Sequence, residues 1–268
     1  MKLKIKNHFL AALLTACFTA PFSHAAILVT ETFGGTGSGG LNGTTADTFN
    51  AAITTAGGSS TWAADGSLLD NGTINTASVG NRVSAHLNLG TYINDAKNTA
   101  AGKFVLTTTI TTTTGNWLSV GFAQTGNTGS NFSVNTGYGN ILVRATGDID
   151  QYRGANTGNE VTANDTIIGN TNQTVTITWD FTPGGGYNGT TNFGNVVFSV
   201  AGVGGYTTAP SVFTANAPIQ FLTLGWGGLT NPGPVTGSYA SLSLTQIPEP
   251  NVALLGGLGL LGLLRRRR

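Results

Sequence analysis

Between residues 26 and 245, apolar side chains recur at every second position in segment after segment, an alternation that admits little besides antiparallel sheet. In residues 175–181, Val175, Ile177, Trp179 and Phe181 share one parity, while Thr176, Thr178 and Asp180 share the other. Leu118, Val120 and Phe122 repeat the pattern, as do Val196, Phe198 and Val200, then Leu222, Leu224 and Trp226, then Ala240, Leu242 and Leu244. Successive side chains of a strand point to opposite faces, so each segment has one face to bury and one to hydrate. The threonine run at 107–114 fits the same scheme. Phe104, Leu106 and Ile110 keep its parity, and threonine is a good strand former.

Turn-forming clusters separate these segments at 34–40, 125–130, 154–159, 183–189 and 231–237. About twelve strands follow from this spacing, with no helix outside the two chain ends, which predicts an all-β sandwich or barrel. No repeat period marks a propeller or solenoid. The first strand, 27–33, and the last, 238–245, are expected to pair within one sheet. A membrane β-barrel is the architectural alternative, and the helical tail described next argues against it.

The ends of the chain differ from its middle. Lys2, Lys4 and Lys6, an apolar stretch at 9–18 and Ser23-His24-Ala25 have the layout of a secretory leader with cleavage after Ala25, or after Ala26. Leu14-Thr15-Ala16-Cys17 also has the form of a bacterial lipoprotein box. Cys17 is the single cysteine, so it is either acylated or discarded with the leader, and no disulfide can form in the remaining domain. At the other end Pro248-Glu249-Pro250 precedes an apolar run at 252–264 and then Arg265, Arg266, Arg267 and Arg268. As a helix that run is about 20 Å long, short against a hydrocarbon core of about 30 Å. The four arginines resist translocation and act as a membrane stop, and glycines 256, 257, 259 and 262 weaken the span.

These residues resemble the PEP-CTERM sorting signal of Gram-negative bacteria. The resemblance implies recognition of Pro248, Glu249 and Pro250 by an exosortase-type membrane enzyme. It also implies transient residence in the inner membrane, and delivery to the cell envelope, outer surface or exopolysaccharide matrix. Three parts are therefore expected: residues 1–25 as a signal helix, 26–245 as the sandwich, and 246–268 as a tail with a short hydrophobic helix. The strand succession resembles laminin-G and concanavalin-A-like jelly rolls, which are often found upstream of such a tail.

Setting the three leader lysines and four terminal arginines aside leaves five basic residues, against ten acidic ones once Glu249 is excluded. A domain with a net charge near −5 by that count lacks the basic patches that nucleic acid requires. Catalytic parts are equally scarce. His86 is the one histidine of the domain, and Glu31 and Glu160 lie far apart, outside any paired-carboxylate pattern. Asp148 and Asp150 are candidate calcium ligands, hard oxygens two residues apart on an expected strand, with a solvated face beside Arg144 and Arg153 as the alternative. No other cofactor is expected. For sugar stacking the candidates are Tyr187, in a glycine-rich loop, and Trp117, whose parity opposes Leu118, Val120 and Phe122. Trp179 belongs to the core. The sequence thus points to a non-enzymatic structural or adhesive protein. A lectin-like carbohydrate-binding module and a divergent glycan-active enzyme are the second and third readings.

Overall fold

The computed structural model describes residues 25–35, 39–73, 82–113, 116–126, 128, 137–152, 172–202, 205–213, 218–228 and 237–247. The leader with Cys17, the tail from Pro248 to Arg268, Arg153, Glu160 and the turn clusters at 154–159 and 231–236 lie outside them.

The described residues 26–247 form one compact unit of two antiparallel sheets. The larger sheet runs in the order β11 (Tyr206–Thr207), β10 (Asn195–Ala201), β9 (Asn172–Asp180), β5 (Lys103–Thr112), β14 (Gly237–Ile247), β1 (Ala26–Glu31) and β2 (Thr48–Phe49). A short β12 (Ser211–Val212) also pairs with β10. The second sheet runs β3 (Ala63–Ala64), β4 (Arg82–Asn88), β13 (Phe221–Gly228), β6 (Asn116–Ala123), β7 (Gly137–Arg144) and β8 (Ile149–Tyr152). This is a jelly-roll sandwich, one of the two architectures the alternation admits and the one the resemblance of the strand succession implies. First and last strands pair, Ala26 opposite Gln246 and Glu31 opposite Leu242. The threonine run is a strand as far as Thr112, with alternate residues of that strand buried.

Two short helices depart from the expectation of none. In α1 (Ala51–Thr55) the side chain of Asn50 accepts from Ala52 N at 2.9 Å and satisfies an otherwise unpaired amide. In α2 (Tyr92–Asn98) Ile93 and Lys97, four residues apart, point inward together. Segments of five and seven residues are too short for a 3.6-residue period to show in the sequence.

The inner faces share one contiguous core. Phe122 of the second sheet stacks on Trp179 of the first with centroids 4.0 Å apart, and Trp226 meets Tyr239 edge-on at 4.6 Å. A hydrogen-bonded pin accompanies these contacts. The fully buried Tyr239 hydroxyl reaches from β14 across to β6 and β13, where it donates to the Ser119 carbonyl. The Gly225 carbonyl lies at 3.0 Å as a second acceptor, and Gly225 N–H approaches the same oxygen at 3.4 Å. Register shifts interrupt the ladders between Ile27 and Val29, Val120 and Phe122, and Tyr239 and Ser241. The first of these buries both Leu28 and Val29 and thereby turns Glu31 inward.

Candidate functional site

The outer face of the six-stranded sheet is built from small residues. Ser84 of β4, Thr223, Gly225 and Gly227 of β13, and Ser119 and Ala123 of β6 lie on it, and all are buried. Side chains this short leave the backbone as the floor, and larger groups stand around it. Trp117 lies opposite Gly227 in the ladder, and a Cβ added to that glycine would sit 2.0 Å from the indole Cζ2. The indole is therefore laid across the glycine backbone. Its parity is the one read from the sequence, but it is only 5% exposed, so its face is not an open platform.

His86 and Phe221 stand at the other end of this face, edge to face with centroids 5.1 Å apart. The backbone after β6 approaches His86 and β4: a Cβ on Gly126 would lie 2.3 Å from His86 Nε2, and the Thr128 carbonyl accepts from Ser84 N at 3.1 Å. His86 is thus half-buried against this segment, with Phe221 on its flank.

At the far edge Asp148 and Asp150 take separate places. Asp148 belongs to the turn before β8, not to the strand, and its carboxylate accepts from Thr146 Oγ1 at 2.9 Å. Asp150 lies on β8, fully buried, and the Arg144 guanidinium donates to it. A buried carboxylate held by a guanidinium is already neutralised, and a calcium ion there would have to displace that cation. Among the described residues no group of three or more His, Cys, Asp or Glu is placed to hold a metal.

Tyr187 follows the 3-10 turn Pro183–Gly185. Its ring meets Phe193 edge-on at 6.2 Å, and its hydroxyl donates to the Asn98 carbonyl at 3.4 Å. It packs partly buried against the core, closing the loop over α2. The two sugar-stacking candidates thus belong to different parts of the sandwich: Trp117 to the second sheet's outer face, Tyr187 to a loop after β9.

Two buried ionisable groups escaped the sequence reading. Glu31, 6% exposed, accepts from Trp62 Nε1 and from Phe33 N, each at 2.9 Å. Burial pushes its carboxyl above the usual range, against the lowering effect of those hydrogen bonds. Lys97 is 1% exposed, its ammonium 5.7 Å from the centre of the Phe193 ring, and burial lowers its pKa to about 8. The inward turn of Glu31 depends on a bulge, and that of Lys97 on a two-turn helix. Neither leaves a mark in the residue pattern.

Similarity to known proteins is uneven along the chain. No curated protein matches it. Among solved structures it is similar to the exoplasmic/lumenal domain of VIP36 in its Ca2+/Man2-bound form, at 10% identity and a TM-score of 0.47, over 85% of this chain and 89% of that one. It is also similar to the carbohydrate recognition domain of Emp46p in its potassium-bound form, at 11% identity and a TM-score of 0.38, over 62% and 79%. Arcelin-5, a lectin-like defense protein from Phaseolus vulgaris, follows at 13% identity and a TM-score of 0.36, over 55% and 72%. The jelly-roll assignment rests on the strand pairing of this sandwich itself. Residues 246–268 match the PEP-CTERM protein-sorting motif, so the chain carries a PEP-CTERM sorting signal at its C-terminus.

Proposed function

We propose that this is an exported, non-enzymatic β-sandwich, delivered to the cell envelope or extracellular matrix of a Gram-negative bacterium and serving there as a structural or adhesive component. The single observation that carries this reading is the PEP-CTERM motif at 246–268, which begins in the last two residues of the final strand. Pro248, Glu249 and Pro250 are the recognition tripeptide for an exosortase-type enzyme, and Arg265, Arg266, Arg267 and Arg268 hold the tail at the inner membrane until it is processed. Proline on both sides of Glu249 keeps the segment extended, which suits entry into a processing site.

Intact-mass analysis of the mature protein from cells with and without that enzyme tests the proposal. Cells that have the enzyme should yield a protein without its four arginines, and cells that lack it, or that express Glu249→Ala, should retain them. Mature protein that keeps the arginine terminus in enzyme-bearing cells would overturn it.

Exopolysaccharide is the partner this location brings into reach. A lectin-like carbohydrate-binding module is the second reading, with the partly exposed loop residue Tyr187 as its sugar-stacking ring, because Trp117, 5% exposed and laid against Gly227, has no open face. Retention on a glycan array, lost in Tyr187→Ala while thermal melting is preserved, is the result that reading expects. Unchanged retention in Tyr187→Ala removes it.

A further inference from the structure

The outward face of the larger sheet carries a regular pattern that neither the sorting signal nor the opposite sheet explains. In the ladder, Thr207, Ser199, Thr176, Thr107, Ser243, Thr30 and Thr48 stand opposite one another, one hydroxyl residue per strand across seven strands. The three central strands form a grid within this row. Thr174, Thr176 and Thr178 of β9 lie opposite Thr109, Thr107 and Val105 of β5, and these lie opposite Ser241, Ser243 and Thr245 of β14. Eight of the nine positions bear a hydroxyl, and no register shift falls inside the grid.

The spacing of this grid is fixed by sheet geometry. Neighbouring strands lie about 4.8 Å apart, and alternate residues of one strand about 6.7 Å apart. Sheet twist turns each strand against the next by about 20°, which limits any planar match to a few central strands. Threonine is stiff at χ1, so both its hydroxyl and its methyl group hold their places.

None of the eight hydroxyls makes a side-chain hydrogen bond among the described residues, although Thr111 and Asn172 just beyond the grid do pair, at 2.6 Å. All nine positions are partly open to solvent. No charged residue stands on the grid, where an ordinary protein surface would be roughly a quarter Lys, Arg, Glu and Asp. The nearest charges, Lys103 and Asp180, close one end and neutralise each other at 2.8 Å.

An uncharged, rigid, two-dimensional array of hydroxyl and methyl groups complements an ordered lattice of water oxygens. A soluble saccharide is recognised differently, by an aromatic platform or by polar groups converging in a cleft, and the grid has neither. We propose that this face adsorbs to ice. Its methyl groups order the intervening water, and its hydroxyls join that layer to the crystal surface.

The test compares the full chain with the same chain bearing Thr107→Lys or Thr176→Lys, each at the centre of the grid, and with Thr54→Lys on the exposed side of α1. Ice recrystallisation inhibition and thermal hysteresis are the measurements, with thermal melting to show that each variant is folded. The parent and Thr54→Lys should inhibit recrystallisation. Each grid variant should need about tenfold more protein or greater, the loss expected when a bulky charge occupies the centre of a contact surface. Thr107→Ser and Thr176→Ser, which keep the hydroxyl and remove the methyl, give an intermediate loss and serve if a lysine variant fails to fold. No activity in the parent overturns the proposal, and so does activity indifferent to all four grid substitutions. Retention on powdered crystalline cellulose or chitin without ice activity would assign the face to a solid polysaccharide and overturn it too. Each of these outcomes is independent of whether the tail is processed.

Discussion

Tyr239→Phe should lower the unfolding free energy by about 2–3 kcal/mol, more than loss of a single ordinary hydrogen bond would. The hydroxyl lies between two strands of the opposite sheet, where it meets the carbonyls of Ser119 and Gly225 and the Gly225 N–H. The phenylalanine ring would keep its packing against Trp226 and Phe33, so the transfer term hardly changes. What remains is buried backbone stripped of its partner, where no solvent reaches at 0% exposure. Urea unfolding should show a lower midpoint with an unchanged slope, because the surface exposed on unfolding is the same. A midpoint within experimental error of the parent would mean that the pin contributes nothing.

Gly72→Ala should cost more still, about 4 kcal/mol or beyond, and should appear as loss of soluble protein. Two penalties coincide at this residue. Its φ of +74° lies in the left-handed region, which costs an L-residue about 1–2 kcal/mol. Its Cβ would also sit 2.1 Å from the Tyr239 carbonyl oxygen, so β14 would have to move. Gly43 separates the two effects: its φ is +86°, yet nothing lies within 4 Å of an added Cβ. Gly43→Ala should therefore cost only about 1–2 kcal/mol, the backbone share alone. Equal losses at the two glycines would show that crowding against β14 is not the cause.

Most of the sandwich was legible because its long strands bury one clean face. β5, β9 and β10 alternate as their residues suggest, and Trp179 is core, whereas in β14 the register shift between Tyr239 and Ser241 turns Tyr239 inward and leaves Ala240, expected on the apolar face, exposed. The six-stranded sheet was harder to read, since β6 is buried on both faces over its full length and alternation no longer separates inside from outside. Parity placed Trp117 correctly on the outer face, but only the contact with Gly227 reveals how closely that face receives it. The expectation that Asp148 and Asp150 share one strand face fails for a local reason. Gly147 turns the chain with a φ of +97°, Asp148 stays in the turn, and Arg144 pairs with Asp150 on the strand. The seven-residue hydroxyl row could not be seen in advance at all, because it is a property of register between strands up to 177 positions apart in the numbering from Thr30 to Thr207.

The placing of β14 has a consequence for assembly of the domain. This strand is the final one of the sandwich, yet it is seated inside the larger sheet, hydrogen-bonded to β5 on one side and β1 on the other. A nascent chain that has delivered everything up to residue 236 still has a gap between its first strand and the remainder. The larger sheet is complete only when residues 237–247 join β5 to β1, so the fold locks with the arrival of its terminal strand. Any trimming of the tail must fall beyond Ile247, because a cut further in would pull out the keystone rather than release a finished domain.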